Sequence, residues 1–145
     1  MERAERAQVS AAAFGAMARI VHRTAQDAAA ILRRDGLSPA QFQLLRTVSQ
    51  SPGVTQTVLG QHSGVTPGGV SQLVSKLEAI GLIRRNAEGA ANRLWLTDQG
   101  CLLVERLTPE QDDFFARRFA GLGPDQLEGL RRLATLALDQ LPEEG

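Results

Sequence analysis

Apolar residues recur along the chain at spacings of three, four and seven, the signature of helices that bury one face. Phe14, Met17, Val21, Ala28, Ile31 and Leu32 form the first such stripe, with Ser10 as cap and Gly36 as stop, and predict a long helix over 9–36. Phe42, Leu45 and Val48 form a second, opened by Ser38 as N-cap, Pro39 at the first helical position and Gln41 completing a capping box. Thr55 then caps a short helix with Val58, Leu59 and His62 on one side, and Gly64 turns the chain. Thr66 and Pro67 begin the next helix, whose Val70, Leu73, Val74, Leu77 and Ile80 make an apolar stripe up to Gly81.

Two helices joined by a tight glycine turn, the second polar on its outer side, have the sequence form of a helix-turn-helix. After Gly81 the period drops to two. "LIRR" reads as a short strand, "NAEGAAN" as a turn and "RLWL" as a returning strand with Leu94 and Leu96 on one side, together a small β-hairpin or wing. Trp95, on the opposite side, is expected to pack the wing against the helix-turn-helix. Thr97 caps a further helix, within which "TPEQ" is either a kink or a fresh start. "GLGPDQ" breaks the pattern, and Leu127, Leu130, Leu133, Leu136, Ala137 and Leu141 predict a last amphipathic helix. The fold class is mostly α with a small β-wing.

At 145 residues the chain fits one domain, 1–145. Lysine plus arginine balance aspartate plus glutamate at 16 each, so no global field draws the chain to polyanions and any such binding must be local. One cysteine, Cys101, excludes an internal disulfide, and His22 and His62 lack metal-ligand spacing; neither a cofactor nor a metal is expected. No apolar run approaches the roughly 20 residues of a membrane span, so a soluble, cytoplasmic protein without a membrane partner is expected.

Three ordered motifs, "LSPAQFQLLRTV", "TPGGVSQLVSKLEAIGLIRR" and "ANRLWLTDQG", resemble the second helix, the recognition helix leading into the wing, and the return strand with its L-T-x-x-G turn of the MarR family of winged-helix transcription regulators. With the flanking helices the resemblance covers nearly the whole chain. It implies a winged helix-turn-helix over 38–97, flanked by dimerisation helices at 9–36 and 98–141. It also implies a homodimer whose paired recognition helices, roughly 34 Å apart, read a pseudo-palindromic DNA operator. The apolar first and last helices independently favour a shared interface. A repressor is the usual form of such a regulator.

Carried over by motif position, Thr66, Ser71, Gln72, Ser75 and Lys76 are the expected DNA contacts of the recognition helix. Gln72 suits a base edge, because a carboxamide pairs bidentately with adenine, while Lys76 and the hydroxyls suit phosphates. Gln56 and Thr57 on the preceding helix are expected to touch the backbone. Gly68 and Gly69 would let backbone amides approach the groove closely. Arg84, Arg85 and Arg93 supply phosphate anchors, and against Glu78 and Glu88 the face is net basic. The wing departs from the family: where an Asp-Arg-Arg run is usual, this chain has Glu88, Gly89 and Ala90. Major-groove contacts are therefore expected to dominate.

The resemblance further implies a small aromatic or acidic effector between the dimer helices and the winged helix. Met17, Val21, His22 and Phe42 are the candidate lining, with Arg19 or Arg23 as carboxylate partner; ordinary core packing is the competing reading of Met17, Val21 and Phe42. Cys101, at the start of a helix, is a candidate oxidant sensor, against the competing reading of a small buried residue. An enzyme built on Cys101 and a histidine lacks a third orienting group, so no enzyme is expected. A winged-helix protein-interaction module that has lost DNA binding is the alternative function. If the wing does approach the minor groove, Gly89→Arg raises DNA affinity and steepens its salt dependence in a mobility-shift titration; no change in either counts against such an approach.

Overall fold

The computed structural model describes residues 1–62, 67–89 and 91–142. Among these, the elements run α1 (Arg3–Arg33), α2 (Pro39–Gln50), β1 (Val54–Thr55), α3 (Gln56–His62), α4 (Pro67–Ala79), β2 (Ile83–Glu88), β3 (Ala91–Leu96), α5 (Asp98–Arg118) and α6 (Pro124–Asp139). The chain divides into two compact units, Met1–Gln111 and Asp112–Gly145.

In the first unit α1 begins at Arg3 with Glu2 as N-cap, so Ser10 lies inside the helix and caps nothing. Helical spacing alone does not locate a start when the preceding residues, here Arg3 to Val9, are themselves good helix formers. The other end is as expected. Gly36 adopts φ 70°, and the amides of Gly36 and Leu37 donate to the carbonyls of Arg33 and Leu32, which closes the helix in a Schellman motif. Only the last turns of α1 join the core: Ala28 and Leu32 are buried, whereas Phe14, Met17 and Val21 are exposed. Met17 and Val21 thus lie outside the core of this unit.

Ser38 opens α2 with both halves of its capping box, Gln41 N–H to Ser38 Oγ at 3.2 Å and Ser38 N–H to Gln41 Oε1 at 2.9 Å. Phe42, Leu45 and Val48 are buried beneath it, with Leu44. Val58 N–H donates to Thr55 Oγ1 at 3.2 Å, the expected cap of α3. Leu59 is buried but Val58 is exposed, because α3 has only its Leu59 side turned to α4. In α4, Val70, Val74 and Leu77 are fully buried and Leu73 partly; Ile80, past the helix end, is exposed instead of extending the stripe. Gly81, at φ 81°, ends α4 with the same Schellman pair, Gly81 N–H to Glu78 O and Leu82 N–H to Leu77 O.

The hairpin is joined by a strand that the pattern did not announce. β1 pairs antiparallel with β3, giving the order β1-β3-β2. Two residues carry too little periodicity to be read as a strand, and Val54 opposite Leu94 is settled by pairing partners distant in sequence. β2 and β3 are also longer than expected, extending until Glu88 faces Ala91. Leu94 is buried and Leu96 packs on the core from the same face, as expected. Trp95, on the other face, lies against the turn at Gly53, where a Cβ would sit 3.3 Å from its ring. Gly53 itself has φ 81°.

Thr97 caps α5: its Oγ1 accepts from Gly100 N–H at 3.1 Å and donates to Gly81 O at 2.6 Å. Pro109 lies inside α5, so "TPEQ" is not a fresh start. In the second unit, Phe114 and Phe115 meet edge to face with centroids 5.3 Å apart, and Gln126 Oε1 accepts from Gly123 N–H ahead of α6. Among the described residues no helix is long and apolar enough to cross a membrane.

Gly100 is buried where a Cβ would overlap the Leu82 carbonyl oxygen and lie 3.4 Å from Leu96 Cβ. Gly100→Ala therefore lowers unfolding stability by about 3 kcal/mol, read as a shifted urea midpoint at unchanged m-value.

Candidate nucleic-acid interface

Burial of Val70, Val74 and Leu77 decides which side of α4 faces outward. Gly68, Gln72, Ser75, Lys76 and Ala79 are exposed at spacings of four, three, one and three, which places them along one helical face. Ser71 and Gly69 are half-buried at its margin. Thr66 lies outside the described residues. A Cβ on Gly68 would meet no described atom within 4 Å, so internal packing does not require glycine there. On α3, Thr57 is exposed; Gln56 is half-buried and its Oε1 is closed off from solvent without a hydrogen-bond partner.

The three wing arginines differ in how they are held. Strand alternation puts Arg84 opposite Trp95, and its guanidinium lies 5.0 Å from the indole centroid, exposed and stacked as a cation on a π face. Arg93 is half-buried and donates through Nη1 to Gly53 O at 3.1 Å, fastening β3 to the turn before β1. Arg85, one position on from Arg84, points to the opposite face and donates through Nη2 to Ser75 Oγ at 3.3 Å and Glu78 Oε1 at 3.4 Å. The sequence does not distinguish the three, because charge type is visible in it and the buried side of the sheet is not.

The candidate effector residues are not brought together. Phe42 is 3% exposed in the core, while Met17, Arg19, Val21 and His22 are exposed along α1. His22 Nε2 lies 3.5 Å from Gln26 Nε2 on the same helix. Cys101 is exposed in the first turn of α5, so the buried reading of this cysteine is excluded. An open groove of about 650 Å³ occurs elsewhere in the first unit, lined by Asp35, Ile80, Leu82, Gln99, Leu102, Leu103 and Arg106. Arg106 is hydrogen-bonded to Asp35, and this bond raises the guanidinium pKa above its ordinary value. A second ion pair, Arg34 to Glu110 at 2.9 Å, also joins the end of α1 to α5. These pairs link residues over seventy positions apart, a separation at which local sequence carries no signal.

The MarR family model matches residues 35–93, the segment that contains α2 to β3 up to Arg93. An HTH-type transcriptional repressor of Mycobacterium tuberculosis is 35% identical over 108 residues, covering 72% of this chain and 78% of that protein. The chain belongs to the MarR family. It spans about half, 54%, of the length of the Bacillus cereus HTH-type transcriptional regulator to which it is 36% identical. A MarR-family regulator from Streptomyces coelicolor, solved in complex with DNA, has the same fold with TM-score 0.83 and 24% identity, covering all of this chain and 93% of that one. The PcaV regulator of the same organism, solved with its natural ligand, superposes with TM-score 0.73 and 23% identity over 87% of this chain and 92% of its own.

Within this MarR fold the wing tip departs from the expected arrangement in one further respect. Gly89 has φ 60°, in the left-handed region where a side chain is strained, so the arginine test of the wing is better made at Glu88. Gly68 supplies the sharper test of the helix face. Gly68→Ala leaves stability unchanged or raises it by up to about 1 kcal/mol. The same substitution weakens DNA binding if the backbone there approaches the duplex; equal or tighter binding would show that it does not.

Proposed function

We propose that this chain is a homodimeric, DNA-binding transcription regulator of the repressor kind, reading a pseudo-palindromic duplex through α4. One observation carries the reading: a single exposed face of α4 bears Gly68, Gln72, Ser75 and Lys76, while the opposite face is locked into the core. A helix held so rigidly, with a small-residue entry and a carboxamide followed by an ammonium one turn later, suits a major groove. Gln72 is assigned to a base edge, Lys76 and the Trp95-backed Arg84 to phosphates. Residues 38–97 form the DNA-binding region of this single MarR-like domain.

The homodimer is supported by apolar surface that each unit leaves uncovered. Along α1, Val9, Phe14, Met17, Ile20 and Val21 are exposed; along α6, which has no buried residue, Leu130, Leu133, Leu136 and Leu138 are. A second copy is the occupant that the family's habit and the self-complementary character of two such stripes favour. Effector control is supported by the groove beside Arg106, whose apolar rim of Ile80, Leu102 and Leu103 suits the ring of a small aromatic effector and whose guanidinium receives an acid group only in exchange for the Asp35 carboxylate. The ligand-bound state of the Streptomyces PcaV protein lends this weight. Such an effector acts only if it binds the two dimer geometries unequally.

The test is selection of bound duplexes from a random DNA library at low salt, followed by titration of the winner. A pseudo-palindrome is expected. Gln72→Ala should cost about 1–3 kcal/mol and relax preference at one position per half-site. Lys76→Ala should weaken all sequences alike and lower the salt slope by about 1. Failure to enrich any sequence would overturn the regulator reading.

A further inference from the structure

Charge alone makes Arg85 a phosphate anchor, but its surroundings point elsewhere. In the β2–β3 register Arg85 stands opposite Leu94, and Leu94 is wholly buried. Directly paired residues share a face of the sheet, so Arg85 projects to the side on which the core and α4 lie. Its side chain is 23% exposed, against 44% for Glu78, and its Nε is shut away from solvent with no hydrogen-bond partner. The remaining end of the guanidinium bridges Ser75 and Glu78, three residues apart on one side of α4. Ser75 lies between Gln72 and Lys76, the residues assigned to the duplex.

We propose that Arg85 is a positioning residue: it braces the wing strand against the recognition helix and neutralises Glu78, and it makes no phosphate contact of its own. The proposal rests on α4 being the DNA-reading helix. Glu78 is the one acidic residue of α4. Left unpaired beside a polyanion, its carboxylate would repel the backbone that Lys76 attracts. The fork of a guanidinium answers both needs at once, since one planar group reaches a hydroxyl and a carboxylate from the same side; a lysine point charge does this less well. The half-buried setting also holds the pair in place better than a surface bridge between two mobile side chains.

The rescue experiment separates this role from the alternatives. With the duplex selected from the random library as probe, Arg85→Gln is expected to weaken binding about tenfold, the scale of coupled neighbours. Glu78→Gln added to it should recover most of that loss, because the freed carboxylate is gone, and the salt slope should stay near the wild-type value. A phosphate contact predicts no recovery and a slope lower by about 1. A merely structural arginine likewise predicts no recovery, since the second substitution removes what remains of the pair. Either result overturns the proposal. Amide exchange without DNA provides an independent arm: Arg85→Gln should speed exchange several-fold across Ile83–Glu88, and unchanged exchange overturns the bracing role. That arm reports even if the wild-type protein selects no duplex, which would be a failure of the DNA reading instead.

Discussion

The winged helix is tied together at the place where four chain segments meet around Gly81 and Leu82. Gly81 turns left-handed to end α4, and its carbonyl accepts the Thr97 hydroxyl at 2.6 Å. The Leu82 carbonyl accepts Thr97 N–H at 3.1 Å, and Gly100 lies so close to it that no side chain fits between. One threonine thus caps α5, while α4, the departing wing strand and the returning one are held to the same few atoms. Each hydrogen bond is worth on the order of 1 kcal/mol net, but leaving any of these partly buried groups unpaired would cost more. The direction of α4 relative to the sheet follows from this junction.

A recognition surface needs the rigidity that the junction supplies. Side chains that are to read a groove must be held to within fractions of an ångström, and α4, the helix proposed for that role, is fixed by Val70, Val74 and Leu77 below and the Schellman closure at its end. The wing is held on both faces by different chemistry. Its inner face carries Leu94 and the Arg85 bridge, and its outer face carries Trp95 on the Gly53 turn, with Arg84 stacked above and Arg93 fastened to Gly53 O. Arg85 and Arg93 therefore spend hydrogen bonds within the fold, while Arg84 is stacked on Trp95 and stays exposed, and the outward cationic surface is smaller than a count of charges suggests.

The apolar surface on α1 and α6 has the opposite character. It is continuous along each helix, yet it joins no core in its own unit. Ion pairs from the end of α1 to α5, Arg34 with Glu110 and Arg106 with Asp35, fix the part of α1 that does join the core. Exposed pairs of this kind contribute little stability singly. Their value lies in orientation, and the Asp35–Arg106 pair lines the groove proposed for an effector.

Features that arise from contacts within a few residues can be read directly along the chain. The Ser38 capping box, the Thr55 and Thr97 caps, the glycine stops at Gly36 and Gly81, the buried stripe of α4 and the alternation of Leu94 with Trp95 all follow from local geometry, and all were legible. The outward stripe of Gln72, Ser75 and Lys76 was legible for the same reason, as the complement of a buried stripe. Long-range packing sets the pairing of β1 with β3, the fit of Gly100 on Leu82, the exposure of Phe14 and Val21, and the division of labour among Arg84, Arg85 and Arg93. Those depend on partners far away in the chain. Hydrophobic periodicity says that a face wants to be buried, and charge says that a group wants a counterpart; neither names the partner.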